Sequence, residues 1–472
     1  MNERLSGFQS DRVRRGPRGL RNRAQARRII GPECLHRRRN AATARQKPTL
    51  HDACRSFLSV NKTTLQSSND PQRSPGAPAW AAYVLALLIG CLGMPVSPAA
   101  TAGSESERQV LRVGAQRPIK TIAQASRLAR NGARIEVDAG TYAGDVAVWS
   151  QDGLSLRAVG GRVVLLAAGA SAEGKAIWVV RAQGMQVEGF DFRGAAVPGR
   201  NGAGIRFERG SLLVRDCSFT NNETGLLTSN DPEAVLEVEN SEFAYNQRPD
   251  GHNHNLYVGQ IARVTVTGSY FHHAHIGHLL KSRAAVSHIL YNRLTDEPGG
   301  RASYELEFPN GGVAVVVGNL IEQGPQTENP AIISYGAEGY KWPTNALSLV
   351  HNTLVDHLPA GGVPLRVWPG AVTVRVYNNL LVGPGAIEAS GAGEPRRNFK
   401  ATDADFVNAP GLDYRLKPDS HLVGQAAEAD AFATADRLLL PTREYVHPQS
   451  TRALGGRVGN PGAFQGTVRK SP

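Results

Sequence analysis

A short pattern that keeps returning limits this chain more than any other feature. Eight stretches, at 187–192, 214–219, 238–243, 266–271, 289–294, 316–321, 350–354 and 376–381, run apolar, polar, small or amide, apolar in that order. Aligned on the small-or-amide position, they put Phe190, Cys217, Ser241, Ser269, Asn292, Asn319, Asn352 and Asn379 in one column, at steps of 27, 24, 28, 23, 27, 33 and 27 residues. A step of that size holds one coil of a solenoid, with loops of different length absorbing the variation. Strands this short are unstable alone, so each must pair with the coils above and below, about 4.8 Å away. Asparagines 292, 319, 352 and 379 fall in four consecutive coils, where their amides can stack into a ladder.

The start of the body fits the same plan. Residues 118–133 set Ile119, Ile122, Ala123, Ala125, Leu128 and Ala129 on one face, which predicts an amphipathic helix closing the end of the solenoid. Ile135-Glu136-Val137-Asp138-Ala139-Gly140-Thr141-Tyr142 follows as a first strand and turn. A helix, then I-x-V-x-x-G-x-Y, then repeated N-x-apolar coils resembles the pectate-lyase-like right-handed parallel β-helix superfamily. Asp413-Tyr414-Arg415-Leu416-Lys417-Pro418-Asp419-Ser420 and Gly459-Asn460-Pro461-Gly462-Ala463-Phe464 look like the C-terminal segment of many bacterial members. The resemblance spans 108–466. It implies an all-β fold, a right-handed parallel β-helix with a short N-terminal capping helix. It leaves the reaction open, because one fold hosts several chemistries.

Charge narrows the partners. The chain carries 53 Lys and Arg against 41 Asp and Glu, which alone would suggest nucleic acid. However, residues 1–78 hold 17 basic and 5 acidic residues, leaving 36 of each sign for 79–472. A nucleic-acid site would show its basic patch on the folded body, so none is expected there. The basic stretch reads as a disordered tail or an over-extended start. Residues 79–103 are an apolar run ending in small residues, which reads as a secretory signal, with a single membrane anchor as the alternative. Leu88-Ile89-Gly90-Cys91 also resembles a lipoprotein box with Cys91 acylated. The expected product is exported, periplasmic or extracellular. Of cysteines 34, 54, 91 and 217 only Cys217 would survive cleavage, so stacking and not disulfides must stabilise it. The β-helix is expected over 104–395 and a C-terminal extension or cap over 396–472, with the protein a monomer.

Unusual polar residues crowd three successive coils, around 250–259, 271–283 and 303–310, and six of the thirteen histidines lie within 252–278. Strict strand alternation turns Leu256, Val258, Leu280, Tyr304, Leu306 and Phe308 inward. It turns Asn255, Tyr257, Lys281, Arg283, Glu305 and Glu307 outward, onto one face if the strands stack in register. His278 joins the candidate catalytic residues Lys281, Arg283, Tyr257, Glu305 and Glu307. Asn255, His254, His275 and Trp368 are candidates for substrate binding, and Trp342 and Tyr340 either stack sugars or fill corners. His252 and His254 share a strand face and could take part in a metal site, although two ligands make a weak one. Nothing in the sequence indicates an organic cofactor; a divalent metal stays open.

An acidic polysaccharide is the expected substrate. A lyase must neutralise a uronate carboxylate, take the adjacent proton and protonate the leaving oxygen, which suits Arg283, Lys281, and Tyr257 or a histidine. A hydrolase would need two carboxyls, and Glu305 and Glu307 on one strand would sit about 6.5–7 Å apart. An epimerase shares the proton abstraction, and a non-catalytic binding protein could use the same face. Within the superfamily, the calcium-using alginate and chondroitin lyases look most similar here. Their Lys-Ser step, N-x-apolar turn and following strand match Lys281-Ser282, Asn292-Arg293-Leu294 and Tyr304-Glu305-Leu306-Glu307 ahead of Gly318-Asn319. That resemblance implies Lys281 as the base. Glu307 stands where the group has arginine, and a His-rich stretch replaces its calcium-binding glutamates, so Arg283 becomes the substitute and calcium is not carried over.

Overall fold

The structure is a computed structural model that describes residues 108–248, 250–251, 253–389, 397–427, 437–456 and 458–466. The basic tail, the apolar run with Cys91, and His252 lie outside the described residues.

Each coil contributes three short strands, as in Val286–Leu290, Arg293–Thr295 and Leu306–Phe308. Every one pairs in parallel with its counterparts one coil away. The first two kinds of strand merge into a 20-stranded sheet that forms two walls, and the third kind forms a 10-stranded sheet. The register joins the column read from sequence, since Ser218 pairs with Asp191, Tyr270 with Glu242 and Leu380 with Thr353. This is the right-handed parallel β-helix, of about ten turns.

The interior is built from the apolar positions of the repeat. Phe192, Phe219, Phe243 and Phe271 stack face to face at 4.8, 4.7 and 4.8 Å. Leu294, Ile321, Leu354 and Leu381 continue the same column.

At the turn between the first and second strand, the asparagines form the expected ladder. Nδ2 of Asn292 donates to Oδ1 of Asn319 at 3.0 Å, Asn319 to Asn352 at 2.9 Å and Asn352 to Asn379 at 3.0 Å. Asn398, missed in the sequence, adds a further rung at 2.8 Å. The residue before each rung is left-handed, Tyr291, Gly318, His351, Asn378 and Arg397, as is Gly268 before Ser269 in the same column. For a residue with a side chain this costs about 1–2 kcal/mol, offset by amide bonds that no solvent could replace in a buried corner. Gly318 has a second reason, because a Cβ there would meet the Tyr291 ring at 2.5 Å.

The capping helix is shorter than expected, Ile122–Leu128 instead of 118–133. Asp145 takes the backbone N–H groups of Ile122 and Ala123 at 2.6 and 2.8 Å, fixing its start, and Ala129 has already left the helical region. Ile122 and Ala125 are buried against the first coil, while Leu128 faces solvent.

Beyond Phe399–Ala401 the chain turns back along the outside of the large sheet. Phe406, Tyr414, Leu416 and Leu422 pack on Leu320, Val355 and Leu380. Leu439 packs on Leu290, Tyr291, Val317 and Val350. No helix among the described residues is long and apolar enough to cross a membrane.

Candidate functional site on the ten-stranded sheet

The polar crowding lands on strands His254–Val258, His278–Ser282 and Leu306–Phe308. Their register stacks Tyr257, Lys281 and Glu307 directly on one another, with Ser334 and then Arg366 continuing the row. Alternation breaks just before this row. Each strand turns two consecutive residues inward, Asn255 with Leu256, Leu279 with Leu280, Glu305 with Leu306 and Ile332 with Ile333, all wholly buried. His254, His278 and Tyr304 therefore form a second outward row three residues back, where strict alternation had placed Tyr304 inside. The His254 ring stacks on Tyr257 at 5.2 Å and meets His278 edge-on at 4.5 Å, and His278 leans on Tyr304 at 5.1 Å.

The inward step corrects two further expectations. Asn255 does not face the groove: its Oδ1 accepts from Asn246 Nδ2 at 2.8 Å, and its own Nδ2 donates to the His272 carbonyl at 2.9 Å. It ends a second ladder with Asn222 and Asn246. Glu305 does not share a face with Glu307, so these two do not make the carboxyl pair that a hydrolase would need. Both Glu305 oxygens are buried without a hydrogen-bond partner, with the carboxyls of Asp296, Glu322 and Asp356 as acidic neighbours. Burial, and then Asp296, raise its carboxyl well above the ordinary range, and burial pushes Asp296 up to about 8. Glu305 and Asp296 are thus biased toward their neutral forms.

Outward, the charges meet. Glu307 Oε2 lies 2.8 Å from Lys281 Nζ and 2.9 Å from His278 Nε2. Burial alone would raise the Glu307 carboxyl, but His278 and Lys281 hold it below the usual range. Burial lowers His278, against the pull of Glu307.

Sequence reasoning missed one residue altogether. Glu338, from the loop two coils on, reaches back to take Arg283 through both oxygens at 2.6 and 2.8 Å and Lys281 at 3.3 Å. The bond to Arg283 holds its carboxyl at about 2. No signal in the sequence reveals it, because the contact depends on how far a coil loop folds down. Arg283 also donates from Nε to Tyr257 Oη at 2.9 Å and from Nη1 to Asn310 at 2.8 Å. Trp342, instead of offering its edge to a ligand, donates its indole N–H to the Arg283 carbonyl at 3.0 Å.

Two candidates stand apart. His275 is half-buried in the turn before the strand, its backbone bridged to Arg301. Trp368 is 41% exposed and lies three coils from Arg283 in register, about 14 Å along the axis.

A divalent ion does not fit here. Glu307 is already spanned by Lys281 and His278, and Glu338 by Arg283. Among the described residues no three acids, histidines or cysteines converge into an ion seat.

No family model matches the chain, and no curated protein matches it either. The solved structures give a match to the crystal structure of pectate lyase Pel9A, at 13% identity and a TM-score of 0.50, covering 76% of this chain and 97% of that one. At that identity the likeness is one of fold: the chain has the pectate-lyase-like right-handed parallel β-helix.

Proposed function

We propose that this protein is an exported polysaccharide lyase that cleaves a uronic-acid-containing polymer on the outer face of the ten-stranded sheet. The observation that carries the reading is that Lys281 and Arg283 together grip one carboxylate there. Elimination begins by neutralising the uronate carboxylate, which acidifies the neighbouring C–H, and Arg283 presents a planar fork suited to that group. A base removes the C5 proton, the electron pair becomes a C4=C5 double bond, the C4–O bond breaks and the leaving oxygen takes a proton. Lys281 is the base in this reading. Tyr257 is the donor, since its Oη accepts from Arg283 and keeps its own proton to give; His278 is the alternative donor. The fold shared with a pectate lyase supports an acidic polysaccharide as substrate, and the neutral body argues against nucleic acid. Export rests on residues 79–103, with an anchor through that segment or through Cys91 as the alternative.

A second reading, a non-catalytic polysaccharide-binding protein, draws on the two ion pairs of Lys281, because a base must first be neutral. The test is the purified protein with a panel of polyuronides and sulfated glycans, with and without calcium and zinc. Ultraviolet absorbance follows the unsaturated product that only β-elimination makes. The expected result is turnover that falls by about 10²–10⁴-fold in Lys281→Ala while binding persists. Binding with no unsaturated product, no new reducing ends and no epimerised sugar would move the assignment to the second reading.

A further inference from the structure

We infer that Glu338 is a built-in plug for the carboxylate seat formed by Lys281 and Arg283, so that the site admits only ligands whose own carboxylate can replace it. The inference rests on the reading of this face as a uronate-binding surface and names the recognition step within it.

Lys281 and Glu307 are 8% and 3% exposed, so the floor of the site is covered, yet the Glu338 side chain above them is 45% exposed. The cover can therefore leave without disturbing the floor. Its loop is anchored on the far side of Glu338. Tyr340 lies over Gly311, Gly336 and Gly370, where a Cβ would meet its ring at 2.3, 2.5 and 2.8 Å, and its hydroxyl donates to the Trp368 carbonyl at 2.6 Å. Trp342 is tied to Arg283. Between the strand and these anchors, Gly336 and Gly339 both have positive φ and close a tight turn, with the Gly339 N–H donating to the Gly336 carbonyl at 3.0 Å. The fixed anchors leave the Glu338 side chain itself as the part that swings.

Chemistry then sets what can displace it. The Glu338 carboxyl is ionised throughout the range in which a protein works, so a change of pH does not empty the seat. A neutral sugar offers Arg283 nothing to replace two charge-assisted bonds. A ligand carboxylate replaces them like for like, and the exchange conserves the number of ion pairs. Glu338 thereby selects uronates over neutral glycans, at the expense of apparent affinity for both.

Glu338→Ala should empty the seat and leave Lys281 and Arg283 without their shared carboxylate. The full-length variant should melt below the parent and regain its melting temperature in tens-of-millimolar acetate, beyond a chloride control, while the parent does not respond. It should also bind polygalacturonate or alginate oligosaccharides at least about tenfold more tightly. If the alanine variant does not fold, Glu338→Gln takes its place in both measurements. A melting temperature indifferent to acetate overturns the plug, and so does equal oligosaccharide affinity in parent and variant. Rescue by acetate with no oligosaccharide bound to either protein leaves the seat standing and removes the polyuronide reading instead.

Discussion

Two columns of stacked polar residues run along this solenoid, and they obey opposite rules. In the asparagine ladder the residue type repeats from coil to coil, and each amide is satisfied by the next along the axis. In the column Tyr257, Lys281, Glu307, Ser334, Arg366 the type changes at every coil. Lys281 with Glu307 and Arg366 with Glu388 pair along the axis, but Lys281 also bonds across to Glu338 in a loop two coils away. A repeated polar residue serves the repeat itself. A polar residue that does not repeat cannot serve it, and must answer to its own place.

The contrast is breakable. Asn319→Ala removes an acceptor used by both the backbone and the side chain of Asn292, and a donor to the Ile289 carbonyl. It should cost on the order of 3–4 kcal/mol in urea unfolding; a loss under about 1 kcal/mol would mean that the ladder is dispensable. A smaller and pH-dependent effect is expected at the buried acid corner. Asp296, pushed up to about 8, is protonated in the fold, whereas an unfolded aspartate ionises near pH 4. Its contribution is complete below that lower value and drains away as pH rises to about 8. Asp296→Asn removes the titration, so it should gain on the order of 2–4 kcal/mol over the parent between pH 4 and pH 8, read from paired unfolding curves. The smallest effect belongs to the functional column: Tyr257→Phe should shift stability by less than about 0.5 kcal/mol. If it costs as much as a ladder residue, the distinction between the columns fails.

What the sequence revealed divides along the same line. The ladder was legible because the same residue recurs at one position of the repeat, so four asparagines betray their own register. Lys281 and Arg283 were legible as outward cations for the same reason, since the apolar residues beside them repeat. Asn255 and Glu305 were misplaced because the two-residue inward step has no spelling of its own; Leu279-Leu280 and Ile332-Ile333 hint at it as adjacent apolar pairs. The second ladder left a trace in Asn222 and Asn246, 24 residues apart like the neighbouring Cys217 and Ser241. Glu338 left none, since nothing periodic governs a loop that folds over two coils.

The return segment has a consequence for how the molecule is made. A solenoid can lay down its coils in order as each leaves the ribosome, every new turn resting on the last. Leu290, Tyr291, Val317 and Val350 are laid down early, but their cover, Leu439, is translated some ninety residues or more after them. Through that interval the nascent protein carries a greasy stripe along one wall, a hold for a chaperone and a hazard without one. A chain stopped by a premature codon near residue 420 would keep that stripe permanently, with most of its coils in place.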